Sequence, residues 1–297
     1  MVDGLWKGLT DRIAERWANV VLLPAALFWL GSGLVWLFRN GWGPQAAERW
    51  ITQHVTSWWT ASVLVVVLLS GLLARRLTDP ALTLLSGRWL PRLGWVTRPM
   101  ARRWASRVAR REARWQVLAS RNRAWAEEQE FVTLDAWLRT MPIDPQRCLP
   151  TRLGNALAAA ERWPREKYGL DPVRCWSRLW LVMPEDTRQE LARARGRLEA
   201  QVTAWLWSVA FVAWTPMAWW AAPVGVLAAW LSYRGAVRCV IELGDLQEAA
   251  FDLHRTALYR QLRWPPPENA AAEHSTGRRL TAYLWRGSDE AVPLSLD

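Results

Sequence analysis

Three cysteines, three histidines and two lysines in 297 residues each close off a class of function. Cys148, Cys175 and Cys239 stand far apart with no C-x-x-C, and His54, His254 and His274 are isolated, so neither a zinc site nor a disulfide framework is expected. The chain contains no H-E-x-x-H, no G-x-S-x-G and no Walker-type phosphate loop. Its G-x-G runs, Gly31-Ser32-Gly33 and Gly41-Trp42-Gly43, lack the dinucleotide spacing, and the first lies in an apolar stretch where close helix packing explains it. No metal or cofactor is indicated, and the chain leans away from an enzyme, with a membrane enzyme acting through Glu161 or Glu166 as the third reading.

Charge is also missing, over long stretches. Trp17 to Phe38 gives 22 uncharged residues and Val55 to Ala74 another 20, each enough to cross ~30 Å of hydrocarbon as a helix. A third uncharged run, Ala200 to Tyr233, has 34 residues and holds WTPMAWWAAP at Trp214 to Pro223, a turn signal that splits it into spans near 200–217 and 219–240. Arg234 and Arg238 then snorkel from the last of these. Four charge-free helices exceed what a small soluble core covers, so the expectation is an all-α integral membrane protein with four transmembrane helices in two hairpins and a helical cytoplasmic insertion. The spans carry no ionisable group before Arg234, which argues against a proton- or ion-coupled transporter. Ser57, Ser62, Ser70, Thr203 and Ser208 are expected to serve helix packing. The first run is longer than a signal-peptide core and is expected to persist as an anchor.

Arginine is what the chain has in abundance, 36 against the two lysines. Residues 75–125 hold 13 Arg against Asp79 and Glu112, a net +11 that equals the formal charge of the whole chain. Such a block after the second span places it and both termini on the cytoplasmic side of the membrane. Trp36, Trp42, Trp50, Trp58 and Trp59 then fall at the outer end of the first hairpin, and Trp214, Trp219 and Trp220 at that of the second, as an aromatic belt. Three roles suit the block. It lies on anionic headgroups of the bilayer, or it binds nucleic acid or a phosphorylated ligand with Trp104, Trp115 and Trp125 as stacking faces, or it pairs with the acidic face Glu242, Asp245, Glu248 and Asp252.

Along the chain, 1–16 reads as an interfacial amphipathic helix, 17–74 as transmembrane hairpin 1, and 75–199 as an Arg/Trp-rich helical cytoplasmic region. Residues 200–241 form hairpin 2, 242–264 a cytoplasmic helix extension and 265–297 a flexible tail. Within 75–199, Pro80, Gly87, Pro91, Gly94 and Pro99 suggest short elements. Ala101 to Met141 suggests one long helix striped by Trp104, Val108, Trp115, Leu118 and Trp125. A short helix is expected from Arg152 to Trp163, broken by Pro164, with new starts at Asp171-Pro172 and Pro184-Glu185-Asp186.

The runs Pro150-Thr151-Arg152-Leu153-Gly154-Asn155, Lys167-Tyr168-Gly169-Leu170-Asp171 and Phe251-Asp252-Leu253-His254-Arg255 resemble a family of uncharacterised bacterial polytopic membrane proteins, over roughly residues 145–265. The resemblance implies a recurring unit of insertion plus hairpin and no chemistry. The ligand or partner candidates are Arg102, Arg103, Arg107, Arg110, Arg111 and Arg114 on the basic helix, with Arg152, Asn155, Tyr168 and Asp171 in the insertion. The function expected is an oligomeric membrane effector or channel-like protein controlled by its cytoplasmic helices. The alternative is a membrane scaffold that presents a basic surface to nucleic acid, nucleotide or a protein partner. The expected associations are the bilayer, a second copy of the chain as a homo-oligomer, and a cytoplasmic protein or phosphorylated ligand.

Overall fold

The computed structural model describes residues 23–41, 45, 48, 49, 52, 57–88, 94–121 and 124–287. The expected interfacial helix at 1–16, Trp42, Trp50 and the last ten residues lie outside them. Among the described residues the chain is all-helical, with no strand. The helices are α1 (Leu23–Arg39), α2 (Ser57–Ser86), α3 (Gly94–Ala119), α4 (Trp125–Arg139), α5 (Arg152–Ala160), α6 (Trp163–Tyr168), α7 (Pro172–Val182), α8 (Glu185–Val212), α9 (Ala221–Gln261) and α10 (Ala270–Arg286). They divide into a unit formed by 1–82 with 198–236, and a second formed by 83–197 with 237–297.

The first unit collects the apolar segments and is apolar on its outside. Leu27, Leu30, Leu64, Leu69, Val226 and Leu227 are all more than half exposed, the reverse of a water-soluble core. Inside it, Trp29 Nε1 donates to Ser70 Oγ at 3.1 Å, Phe28 packs on Trp207, and the Thr78 and Thr203 hydroxyls meet at 3.0 Å. Gly225 lies so close to Ser208 O that a Cβ would sit 2.9 Å from it, which fixes a tight α8–α9 crossing. Phe38, at the end of α1, meets Trp220 edge-on at 6.2 Å, so the turn between α8 and α9 shares one end of the unit with the end of α1. That turn, 213–220, is where the Trp214–Pro223 signal put it.

Among the described residues two helices, α2 and α9, are long and apolar enough to cross a membrane. The described part of α1 is 17 residues, and α8 has 13 residues between its last charge, Glu199, and its end at Val212. At 1.5 Å per residue these reach ~25 and ~20 Å, which is why neither passes on length and composition.

Local punctuation misled in four places. Residues 75–100 do not form short elements: α2 runs through Pro80 to Ser86, and α3 starts at Gly94 and passes Pro99. An interior proline removes one helical hydrogen bond at a cost of ~3 kcal/mol. Burial of Ala81, Leu85 and Ser86 next to Pro80 helps to offset it. The single helix expected over 101–141 is two, α3 and α4, because the acidic pair Glu127 and Glu128 opens a new helix and Glu127 accepts the Ala124 N–H at 3.2 Å. Trp125, expected on the buried stripe, is 80% exposed at that start. Pro164 begins α6 instead of ending α5. Residues 270–286 of the expected tail form α10: Asn269 Oδ1 accepts Ala272 N–H at 2.9 Å to start it, and Thr276, Gly277, Leu280 and Thr281 are buried on it.

Candidate functional site

At about 100° per residue, Arg102, Arg103, Arg107, Arg110, Arg111 and Arg114 fall within an arc of about 180° on α3, and all six are exposed. The opposite side is held by Val108, fully buried with Met141 and Cys148 and flanked by Trp104 and Trp137. Arg111 lies 4.1 Å above the Trp137 ring and Arg107 5.1 Å from that of Trp104. Arg110 Nε donates to Ser106 O, and Arg114 grips Glu130 with bonds of 2.7 and 2.9 Å and holds that carboxyl below its ordinary range. Arg102 and Arg103 have no ion pair among the described residues. The expected stacking faces are mostly occupied: Trp104 Nε1 donates to Pro150 O, while Trp115 Nε1 donates to Asp135 and its ring stacks on Phe131.

The acidic face of α9 is paired elsewhere than expected. Glu242 binds Arg197 at 2.7 Å, Glu248 binds Arg139 at 3.2 Å, and Asp252 binds Lys167 at 2.9 Å. None of these bases lies in the 75–125 block.

The four candidates in the insertion are braces. Arg152 donates to Thr140 O at 2.8 Å and to the Thr140 hydroxyl, placing a cation at the carbonyl end of α4. Asn155, with no exposed surface, accepts the Leu149 N–H at 2.6 Å and donates to Leu149 O at 3.0 Å, so one amide fixes the chain entering α5. Thr151 caps α5 by accepting from Gly154 N at 3.0 Å. Gly154 is required, since a Cβ there would lie 2.0 Å from Ser86 O.

Tyr168-Gly169-Leu170-Asp171 docks α10. Gly169 ends α6 in the left-handed region at φ 71°. A Cβ on Gly169 would meet His274 O at 2.1 Å, and one on Gly277 would meet Tyr168 O at 1.9 Å, so two glycines let backbone touch backbone. Thr281 Oγ1 donates to Gly169 O at 3.2 Å and accepts the Asp171 N–H at 3.1 Å. Asp171 meanwhile caps α7 by accepting from Val173 N at 3.0 Å. Tyr168 OH donates to Asp252 at 2.5 Å under the guanidinium of Arg255, which also binds Glu273 at 2.6 Å. Burial opposes ionisation of Asp252, yet the bonds from Lys167 and Tyr168 hold its carboxyl below its usual value. Burial pushes the Tyr168 phenol up.

Between α6 and α10 opens a cleft of about 1210 Å³, floored by the turn at Asp144 and Arg147. Of the ligand or partner candidates only Asp171 lines it. Arg278, Trp285 and Arg286 were missed because they belong to a segment read as tail. Their signal was present as a helical spacing: His274, Arg278, Thr281, Trp285 and Arg286 recur at steps of four, three, four and one.

Burial raises the Cys148 thiol and carries that of Cys175 to about 11, so neither is a ready nucleophile. Among the described residues no group of His, Cys, Asp and Glu is arranged to hold a metal ion. No protein-family model, no curated protein and no solved structure matches the chain.

Proposed function

We propose that the protein is a non-enzymatic membrane scaffold whose four apolar helical segments span the bacterial inner membrane, with both termini cytoplasmic. In the sequence the uncharged run that holds α1 begins at Trp17, and α8 and α9 make a short second hairpin, completed by the Trp-rich turn and by Arg234 and Arg238 reaching for the interface. Arg234 stacks on Trp230 at 4.8 Å, a snorkelling pair at that depth. Ser70, Thr203 and Ser208 each donate to a carbonyl of their own helix, and Ser70 and Thr203 also meet a side chain of a neighbouring helix, which supports helix packing as their role.

The scaffold presents the arginine arc of α3 to anionic phospholipid headgroups, and the observation that carries this reading is the fate of its neighbours. The arginines stay exposed, while Trp104 and Trp115 are half-buried with their indole N–H groups bonded within the protein, so of the three expected stacking faces only Trp125 is left open to a base. Each arginine near an anionic surface contributes ~1 kcal/mol, screened by salt. The test is lipid retention. Full-length protein extracted from membranes containing phosphatidylglycerol should keep that lipid through detergent washing at low salt. It should lose the lipid at high salt or when Arg102, Arg103, Arg107 and Arg110 are changed together to Gln. Retention equal in the variant and the wild type removes the reading.

A further inference from the structure

The cleft between α6 and α10 has a charge excess that its own residues do not satisfy. Four carboxylates line it, and each has an arginine at hand: Asp144 with Arg147 at 3.5 Å, Glu161 with Arg88 at 2.6 Å, Glu166 with Arg162 at 2.9 Å and Asp171 with Arg174 at 3.3 Å. Three further guanidiniums, on Arg165, Arg278 and Arg286, line the same cleft with no carboxylate partner among the described residues. Every acid is therefore matched, and three positive forks are left over in one concavity.

Their placement is rigid for a surface feature. Arg165 stands on α6, whose end is locked by Gly169. Arg278 and Arg286 stand on α10 two turns apart, and α10 is fixed to α6 by the Gly277–Tyr168 contact and the Thr281 bonds. The Cγ of Arg278 lies 3.1 Å from a Cβ built on Gly169, so this side chain rises from the closest point of the two walls. Between the two α10 arginines sits Trp285, more than half exposed, with the Arg174 guanidinium 3.8 Å from its ring centre. The Asp171 ion pair and the Trp285 ring together hold Arg174 in place and leave a flat, cationic edge beside the three free forks.

We infer that this cleft binds a soluble phosphorylated small molecule, a nucleotide bearing a diphosphate or triphosphate, with Arg165, Arg278 and Arg286 on the phosphates and the Arg174–Trp285 pair beside the base. Guanidinium forks match phosphate oxygens bidentately, and a planar cation–aromatic pair suits a heterocycle. The volume admits a ligand of that size. The site is separate from the arginine arc of α3 and does not depend on the lipid reading of that arc.

The experiment is titration calorimetry on the full-length protein in uncharged detergent, with ATP as probe and inorganic pyrophosphate as competitor. One ATP should bind per chain and pyrophosphate should displace it. Arg165→Gln and Arg278→Gln, both at exposed positions, should each weaken binding about ten-fold or more with unchanged thermal melting. Trp285→Ala should weaken ATP while leaving pyrophosphate as it was. The quadruple Gln variant of the α3 arc should bind as the wild type does. No binding of either probe at millimolar concentration overturns the inference. So does binding that survives the cleft variants and disappears in the α3 variant. Displacement by phosphatidylglycerol micelles without any binding of pyrophosphate would make the cleft a headgroup site and would also overturn the soluble ligand.

Discussion

Gly277→Ala should release α10 from the protein while leaving the rest of the fold intact. The added methyl would lie 1.9 Å from the carbonyl oxygen of Tyr168, where ordinary contact begins near 3.4 Å, and the obstacle is backbone on both sides. α10 must therefore move by about 1.5 Å, the difference between those distances. Overpacking of this kind costs ~1–3 kcal/mol. A second estimate comes from what the displacement loosens: Leu280, fully buried, is worth ~1.5–3 kcal/mol. The two Thr281 hydrogen bonds are worth ~0.5–1.5 kcal/mol each. Since the side chain is only partly uncovered, both routes meet at about 2 kcal/mol, roughly thirty-fold in the opening equilibrium. Hydrogen exchange on the full chain reads this directly. Amides of α10 should exchange about thirty-fold faster in the variant, with α5 and α8 unchanged. Gly196→Ala is the control, because nothing lies within 4 Å of that position and a helix interior gains up to ~1 kcal/mol from the change. Unaltered exchange in α10 would refute the docking argument.

Further outcomes follow from other braces. Asn155→Ala leaves the N–H and C=O of Leu149 without their partner in a site closed to water, so thermal stability should fall by ~1–3 kcal/mol, measured by the melting of the purified protein. Because the folded Asp252 carboxyl lies below its unfolded value, its stabilising contribution is present above pH ~4 and is lost as pH falls through the folded value. The hold of α6 on α9 should therefore loosen on acidification, as read by tryptophan fluorescence, and Asp252→Asn should flatten that dependence; a profile unchanged in the variant would contradict the network. With its thiol at about 11, Cys175 should resist maleimide at neutral pH and react only after denaturation. Labelling of Cys175 in the folded protein would contradict its burial.

Much of the architecture is legible where a signal is backed by chemistry with a single outcome. Asp171-Pro172 and Pro184-Glu185-Asp186 start α7 and α8 because a carboxylate and a preset φ suit a helix N-terminus and little else. The Trp214–Pro223 turn is found for the same reason. Proline alone has two outcomes. Pro164 opens α6, and Pro80 lies inside α2, and the choice is made by packing that no local pattern contains. The tail failed for a related reason: the period of α10 rests on Thr276, Gly277, Leu280 and Thr281, a face of small and hydroxyl groups that looks polar until Tyr168 and Gly169 are placed against it. The same gap hid the cleft. In the sequence its arginines are 113 residues apart between Arg165 and Arg278, and they become one site only through α10 docking. The six arginines of α3 fall on one side by helical spacing once the bounds of that helix are known, and those bounds were not legible from the sequence. The partners of the α9 acids were not, because Lys167 and Arg197 lie outside the basic block that composition made conspicuous.

The central claim is that the short second hairpin crosses the bilayer and leaves the arginine-bearing unit on the cytoplasmic side. Single cysteines at Met217 and at Arg121, in a chain with Cys148, Cys175 and Cys239 replaced by Ser or Ala, test it with a membrane-impermeant maleimide on intact cells. Met217→Cys should label from outside, and Arg121→Cys only after the cells are permeabilised. Met217→Cys protected until permeabilisation would mean that the hairpin does not cross, and external labelling of Arg121→Cys would invert the topology.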